Sequence, residues 1–418
     1  MSAKRKLQNK TESNIAGVDM FLEDTWKQIR DRNLYCGPPQ SRQTVEALTL
    51  AKKAVTVAAR TRVQWHSAQA CRMMALTLNA NGQYFASIRY YRRALAALDS
   101  LGHHEQAART RLGFIAALGI LGQYEQVTIE SWAAEKWFEK SGDDPGRARL
   151  LTNIGNVHQR RENYEQAIEC LRRSHELFES IGDETMLAVS KSNLAICFSQ
   201  LGRLNSAEEM FSQAEKLSLK LGLADLNQQI RYNHNYLVFL RGQCEEALER
   251  FQELKREFRE QKNARHAALC DLDIALIYLH SDMPAAALRN AKKAAEAFPK
   301  LHMRYEQAKA LAYAGAALIQ THRFKKSLAA LYSAQALFRL ERNPCWMAVL
   351  DVLQAYVYHA LRNAPMARAL LNRARLRLDQ IDADTKTIET IRSILIDGED
   401  KPRFLLDLKT TDLLRLIN

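Results

Sequence analysis

The sequence predicts an all-α fold, a solenoid of antiparallel helix hairpins. Three observations support this prediction: a turn signal that recurs every 40 residues, columns of small residues in register with it, and a composition rich in good helix formers. Glycine (16) and proline (8) are scarce among the 418 residues, which disfavours a fold of strands and tight turns. Because each hairpin packs only on its neighbours, a chain of this length need not divide into several globular domains.

A short turn signal marks the middle of each predicted hairpin. The signals read NGQY, LGQY, ENY, LGRL, RGQC, SDMP, THRF and LRNA, and they follow one another at 40-residue steps without a slip. Such a repeat predicts one supersecondary unit per period, with a helix on each side of the turn. The positions that start these turns are Gly82, Gly122, Glu162, Gly202, Gly242, Asp282, His322 and Arg362.

Small residues recur at fixed distances from each turn. The second helix of each unit carries two mostly small positions seven residues apart, with a mostly larger residue between them. Spacings of four and three residues put all three on one helix face, where small side chains let two helices approach closely. A first-helix column of small residues comprises Ala75, Gly155, Ala195, Ala275, Gly315 and Ala355, and Ile115 and Asn235 break it.

The small-residue pairs around Gly-x-Tyr-x-x-Ala resemble the tetratricopeptide repeat, and residues Thr152 to Ser174 are the copy most like it. The unit here has 40 residues, whereas the common repeat has about 34. The resemblance implies a right-handed superhelix whose concave groove binds other proteins. Segments 272–279, 301–310 and 341–356 also resemble the repeat half of bacterial CHAT-domain proteins, in which repeats precede a caspase-like domain. We expect that this chain ends at Asn418 too soon to contain that protease domain.

The chain is predicted to have four parts. Residues 1–16 form a disordered basic tail, 17–60 an N-terminal capping hairpin, 61–380 eight 40-residue repeats, and 381–418 C-terminal capping helices. Atypical ends are expected because a solenoid must cover its terminal apolar faces. The alternative for the C-terminus is a docking segment for another chain, formed by Phe404, Leu405, Leu406, Leu413, Leu414 and Leu416.

The candidate binding site is a polar column on the first helices. An amide carries both donors and acceptors, so a ladder of amides can hold the backbone of an extended peptide, and asparagine at this column often does so in the resembling family. The alternative is that these amides only bond neighbouring helices. Arg149, one turn before the first amide, suits an acidic side chain or a terminal carboxylate. The column residues are Asn153, Asn193, Asn233 and Asp273, and Asn156 lies on the same face as Asn153.

Aromatic residues provide a second candidate patch. Tyr232, Tyr236 and Phe239 are spaced three and four residues apart, so they share a helix face. We interpret them as core packing, as we do Trp132 and Trp137; if they face the groove, Tyr236 and its neighbours would bind an apolar anchor residue.

The sequence predicts neither catalysis nor a cofactor. It contains no Gly-rich phosphate loop, no Gly-x-Ser-x-Gly elbow and no His-Glu-x-x-His helix. His103 and His104 have no matching ligand cluster, so no metal site is expected. Seven cysteines are scattered singly, which is typical of buried thiols in a reducing cytoplasm.

Charge and hydropathy disfavour nucleic acid and a membrane as partners. Lys plus Arg (60) exceeds Asp plus Glu (47), giving a formal charge of +13, yet the signs are interleaved along the helices, as in 255–266. Interleaved charge is typical of a solvated face and disfavours nucleic acid. No apolar run would span a membrane, and the N-terminus lacks the apolar core of a secretory signal.

We therefore expect a cytoplasmic adaptor that binds an extended segment of another protein, with a protease or signalling protein as the candidate partner. The alternative is a regulator, gated by a small peptide or metabolite, that acts on a separate output protein. A weaker alternative is a solenoid that binds RNA.

Overall fold

The computed structural model describes residues 15–27 and 42–379, except positions 302 and 342. All regular secondary structure in these residues is helical, as the sequence predicts. A first helix, α1, covers 15–27. The others are α2 (Arg42–Thr61), α3 (Gln64–Ala80), α4 (Tyr84–Ser100), α5 (His104–Ile120), α6 (Tyr124–Ser141), α7 (Asp144–Arg160), α8 (Tyr164–Ile181), α9 (Glu184–Gln200), α10 (Leu204–Lys220), α11 (Ala224–Leu240), α12 (Cys244–Glu260), α13 (Ala264–His280), α14 (Pro284–Ala297, continued by a 3-10 turn over Phe298–Leu301), α15 (Arg304–Gln320), α16 (Phe324–Leu340), α17 (Pro344–Ala360) and α18 (Ala364–Asp379).

The helices from α3 to α18 form successive hairpins. First helices begin every 40 residues from Gln64 to Pro344, and second helices begin every 40 residues from Tyr84 to Ala364. The predicted all-α hairpin array is therefore confirmed. Within the described ranges, none of the helices combines the length and the apolar character that a membrane span requires.

Each turn within a hairpin is closed by a residue in the left-handed region. Gly82 has a φ of 73°, and the Gln83 amide donates to the Leu78 carbonyl at 2.9 Å, which satisfies the end of α3. Glu162 adopts the same conformation, with a φ of 65°, although a side chain there costs about 1 kcal/mol. The period therefore fixes the turn even where the sequence offers no glycine.

The column of small first-helix residues marks the closest helix contacts. A Cβ atom built on Gly155 would lie 2.7 Å from Cγ of Leu171, and one built on Gly315 would lie 2.6 Å from Cδ2 of Leu331. Both leucines are fully buried at the larger position predicted between the small residues of the second helix. Small side chains are thus required where the two helices of a hairpin meet.

A further column escaped the sequence reasoning, although it has the same period. It lies near the end of the second helices, where buried aromatic rings pack against the start of the following first helix, as Phe258 does on His266 and Phe338 on Trp346. The residues are Phe138, Phe178, Phe258 and Phe338, with Phe298 at the same register in the 3-10 turn.

The chain divides into two compact units. Unit 1 comprises the residues up to Cys197 together with Glu209–Ile230, and unit 2 comprises Phe198–Glu208 together with the residues from Arg231 onward. In unit 1, α1 packs through Leu22 on buried alanines of α2, and a second cluster centres on Tyr91 and Phe114. The core of unit 2 is one continuous cluster from α11 to α18.

The structure corrects one packing prediction. Trp132 is 66% exposed on the outer face of α6, where the Lys136 ammonium lies 5.3 Å from its ring centre. The reason is register, since the same position in the adjacent hairpins holds the exposed Arg92 and Arg172. Trp137 does pack, edge-on against Phe138 at 5.4 Å.

Candidate functional site

Three of the predicted site residues lie on α7 in unit 1. Asp143 caps this helix by accepting a hydrogen bond from the Gly146 amide at 2.9 Å. One face of α7 packs on α8, where the Thr152 hydroxyl lies 2.7 Å from that of Ser174. The face that remains carries the exposed Arg149 and Asn156 and, between them, a half-buried asparagine, Asn153.

Asn153 already uses part of its amide within the protein. Its Nδ2 donates to the Leu112 carbonyl of α5 at 2.9 Å, so it links two neighbouring first helices. Asn79 makes a longer contact of this kind, 3.5 Å to the Gly113 carbonyl. The bond from Asn153 to Leu112 supports, for one donor of this amide, the alternative that the column only bonds neighbouring helices. A second N–H and the carbonyl oxygen of the amide remain, so peptide binding by Asn153 stays a prediction.

Asn193 occupies the corresponding register on α9. Other faces of α9 are engaged with its neighbours: the Ser190 hydroxyl lies 2.7 Å from Nδ1 of His175 on α8, and Lys191 donates to Gln213 on α10 at 2.7 Å. Gln159 of α7 lies 3.6 Å from Sγ of Cys197, which links the two first helices directly. Asn193 is half-buried. Unit 1 therefore presents Arg149, Asn153, Asn156 and Asn193 on adjacent first helices.

The remaining predicted residues lie in unit 2. Asn233 and Tyr236 are half-buried on α11. The Tyr236 ring lies 5.7 Å from that of Phe239, which is buried, and Tyr232 packs edge-on against Phe251 at 5.6 Å. Phe239 and Tyr232 therefore pack in the core, as we interpreted them from the sequence.

Asp273 differs from an open amide of the predicted ladder. It is only 6% exposed on α13, and its carboxylate accepts a hydrogen bond from the Tyr232 hydroxyl of α11. Burial raises the pKa of Asp273 to about 6, against the opposing effects of that hydrogen bond and of the Lys309 charge. The acidic residue thus joins two helices of the core, and a role in peptide binding stays a prediction.

Lys309 is a member of this region that sequence reasoning missed. Its ammonium lies 5.6 Å from the ring centre of Trp346 and 6.0 Å from those of Tyr305 and Tyr313, within the range of cation–π attraction. The register contained the signal, because Lys309 occupies the same position in its repeat as Arg149.

The part of the chain that the structure describes offers little for metal binding or for nucleophilic catalysis by cysteine. No group of three His, Cys, Asp or Glu side chains suited to a metal ion occurs among those residues. Cys71, Cys197 and Cys270 are buried. Burial raises the pKa of the Cys197 thiol to about 12, so it is a poor nucleophile.

Comparison with known proteins bears on the fold. Residues 146–220 match the family model of the tetratricopeptide repeat. The chain therefore has a helical-repeat fold of the tetratricopeptide type. No curated protein sequence matches it. The resemblance to CHAT-domain proteins stays a prediction.

Several solved structures share the tetratricopeptide-type fold. A Rap protein complexed with competence and sporulation factor is 13% identical with a TM-score of 0.57, and the alignment covers 90% of this chain and 100% of that one. NprR in complex with its cognate peptide NprX is 12% identical with a TM-score of 0.55, covering 80% and 95%. Aspartyl phosphate phosphatase F from Bacillus subtilis is 14% identical with a TM-score of 0.50, covering 92% and 96%. At these identities the similarity establishes the fold.

Proposed function

We propose that the chain is a non-enzymatic adaptor that binds an extended segment of a partner protein on the first-helix face of α7 and α9. The observation that carries this proposal is the grouping of an exposed guanidinium, Arg149, with three amides on adjacent first helices. Amides can pair with successive peptide groups whatever the side chains, and the guanidinium can bind a carboxylate bidentately. A protease or signalling protein is the candidate partner.

Similar folds support the choice of a peptide as ligand. The Rap and NprR structures above are complexes with competence and sporulation factor and with a cognate peptide, respectively. The interleaved charges of the helices favour protein over nucleic acid as partner.

The test is partner capture from native cell extract with a variant that carries Arg149→Ala, Asn156→Ala and Asn193→Ala. Each lost hydrogen bond costs about 1 kcal/mol, so three should weaken binding about 100-fold. Captured proteins are identified by mass spectrometry, and overlapping peptides of each are then titrated by fluorescence anisotropy. Asn153→Ala is kept as a separate variant, because it also removes the bond to Leu112.

The matched control changes Gln166 and Arg172 to alanine, since both are exposed on the second helix α8 of the same hairpin. We expect the control to capture the same partner as the wild type. A partner that the wild type, the triple variant and the control variant capture equally would contradict the proposed site. Binding that weakened steeply with salt and was lost on nuclease treatment would instead favour RNA.

A peptide-gated sensor is the second candidate function, and the peptide complexes of Rap and NprR favour it specifically. Such a sensor must bind its ligand with different affinity in two conformations. Small-angle scattering with and without a bound peptide separates the two functions. A changed radius of gyration supports gating, whereas an unchanged one supports a static adaptor.

A further inference from the structure

Positive charge is concentrated in the last five helices of the described chain. Residues 284–379, from α14 to α18, contain 16 Lys and Arg against five Asp and Glu, which accounts for 11 of the 13 net positive charges of the whole sequence. The signs interleave at 255–266, in α12 and α13, but not beyond them. The interleaving that argues against an anionic partner therefore does not extend to this part of unit 2.

The second helices of unit 2 present these bases on their outer faces. Gln335 of α16 and Arg373 of α18 both donate to the buried carboxylate of Asp351, so these two second helices lie beside one another. The 40-residue register relates α14 to α16 in the same way. Six exposed bases on these helices form no ion pair with any described side chain, and we call them the basic face: Arg289, Lys292 and Lys293 on α14, Lys325 and Lys326 on α16, and Arg368 on α18.

Few carboxylates oppose the basic face. Asp351 and Glu341 are buried, and Glu306 lies on the first helix α15. On α14, α16 and α18 the exposed acids are Glu296 and Asp379, and Asp379 already lies 3.8 Å from an arginine of its own helix. The positive potential of the basic face is therefore largely uncompensated.

Large apolar side chains are exposed among these bases. Leu340, near the end of α16, is 60% exposed, and Leu376 on α18 is 57% exposed. A single exposed leucine is common on a protein surface, but here the leucines share their helices with unpaired bases. Basic and apolar side chains on one helical surface are typical of proteins that bind the interface of a bilayer.

We propose that the basic face and its two leucines bind the surface of a membrane that contains anionic lipids. None of the six bases recurs at the same register in the adjacent second helix, so they do not form the regular rows that the fixed phosphates of a duplex would match. A protein partner would favour apolar anchors clustered in a pocket, whereas Leu340 and Leu376 lie on different helices. Anionic headgroups diffuse within a bilayer, so they can gather beneath bases at any spacing, and leucines can enter the interface singly.

Such binding is peripheral and requires no spanning helix. The lack of a long apolar run, from which the sequence predicts no membrane partner, concerns a different mode of attachment. The inference stands apart from the proposed function, because it uses the second helices of unit 2 and its test requires no partner protein. The predicted C-terminal caps at 381–418 lie outside the described residues and stay unchanged in every variant.

The test is co-sedimentation of the full chain with vesicles of phosphatidylcholine that contain about 30% phosphatidylserine, in about 0.1 M salt. Lys325→Gln together with Lys326→Gln should weaken binding about 30-fold, because each base near such a surface contributes about fivefold. The matched control, Arg172→Gln with Arg173→Gln on the exposed face of α8, removes the same charge from unit 1 and should leave binding within about twofold of the wild type. Equal weakening by the two pairs would show a response to net charge alone and would overturn the proposal.

A second pair of variants tests the apolar contacts. Leu340→Ser with Leu376→Ser should weaken vesicle binding about tenfold, because two partly exposed leucines no longer enter the interface. The matched control, Ile129→Ser with Trp132→Ser, removes exposed apolar side chains from α6 of unit 1 and should bind like the wild type. All four side chains are exposed, so we expect unchanged thermal unfolding by circular dichroism. Vesicle binding that survives the loss of both leucines would contradict the proposed interface.

Two further measurements separate a membrane from other anionic ligands. Vesicles of phosphatidylcholine alone should not sediment the wild type, and failure to sediment with the anionic vesicles would overturn the proposal. A fluorescein-labelled duplex of about 20 base pairs is titrated by anisotropy in the same buffer. If the duplex binds the wild type more tightly than the anionic vesicles do, and the lysine variant reduces that binding, the basic face is a nucleic-acid surface and the proposal fails.

Discussion

Replacing Asp273 by asparagine should shift stability in favour of the variant as the pH rises. Burial raises the pKa of Asp273 from 3.8 to about 6 in the folded protein. A carboxyl whose folded-state pKa is raised contributes its full stability below pH 3.8 and loses it as the pH rises through 6. Asparagine keeps an oxygen that accepts the Tyr232 hydrogen bond but carries no charge, so it avoids this loss.

The magnitude follows from the shift in pKa. About two units correspond to about 3 kcal/mol, and about 2 kcal/mol of this falls between pH 4.5 and 7.5. Solvent screening reduces this free-energy difference only slightly, because the Asp273 side chain is buried. The quantity of interest is the difference between variant and wild type, in which the titration of every other group cancels.

The assay is urea unfolding followed by circular dichroism at several pH values between 4.5 and 7.5. Asp225→Asn is the control, because it makes the same substitution at a carboxyl that is exposed on α11. A variant-to-wild-type difference at Asp273 that stays flat across this range would refute the reasoning that Asp273 is a buried and poorly compensated carboxyl.

Three further substitutions test packing and charge. Gly155→Ala should destabilise by about 1–3 kcal/mol in urea, because the added methyl meets Leu171; Gly17→Ala, which meets nothing within 4 Å, should not. His266→Phe should lower the acid-unfolding midpoint by about half a pH unit. Burial lowers the pKa of His266 to about 3, so the wild type loses stability as the pH falls from 6.5 towards 3, and an unchanged midpoint would contradict this. Asp351→Ala should cost about 3 kcal/mol, because this fully buried carboxylate accepts hydrogen bonds from Gln335, Arg373 and Arg377; a loss below about 1 kcal/mol would show that the network contributes little.

The repeat register was predictable from sequence because it rests on local rules. Turn positions such as Gly82 and small positions such as Gly155 have one physical cause each, backbone conformation or close approach. The turn recurs at every period, and the small position recurs at all but two. The side-chain partners were not predictable to the same degree. The hydrogen bond from Tyr232 to Asp273 and the aromatic surroundings of Lys309 depend on rotamers and on helix spacing, which the period does not encode.

Exposure on the second helices shows the same limit. Trp132 is typical of a buried residue by type, yet it lies at a register position that holds arginine in the adjacent hairpins. The residue type of Trp132 predicts packing, whereas its column predicts exposure. Exposure on the second helices therefore follows the repeat register rather than the residue type.

The hydrogen bond from Asn153 to the Leu112 carbonyl joins two repeats rather than the two helices of one hairpin. In a linear array, stability is the sum of the intrinsic stability of each repeat and the coupling between nearest neighbours. Such a bond contributes to the coupling, which decides whether the array unfolds as one unit or in segments. Removing it should broaden the unfolding transition more than it lowers the midpoint, so Asn153 also contributes to the cooperativity of unit 1.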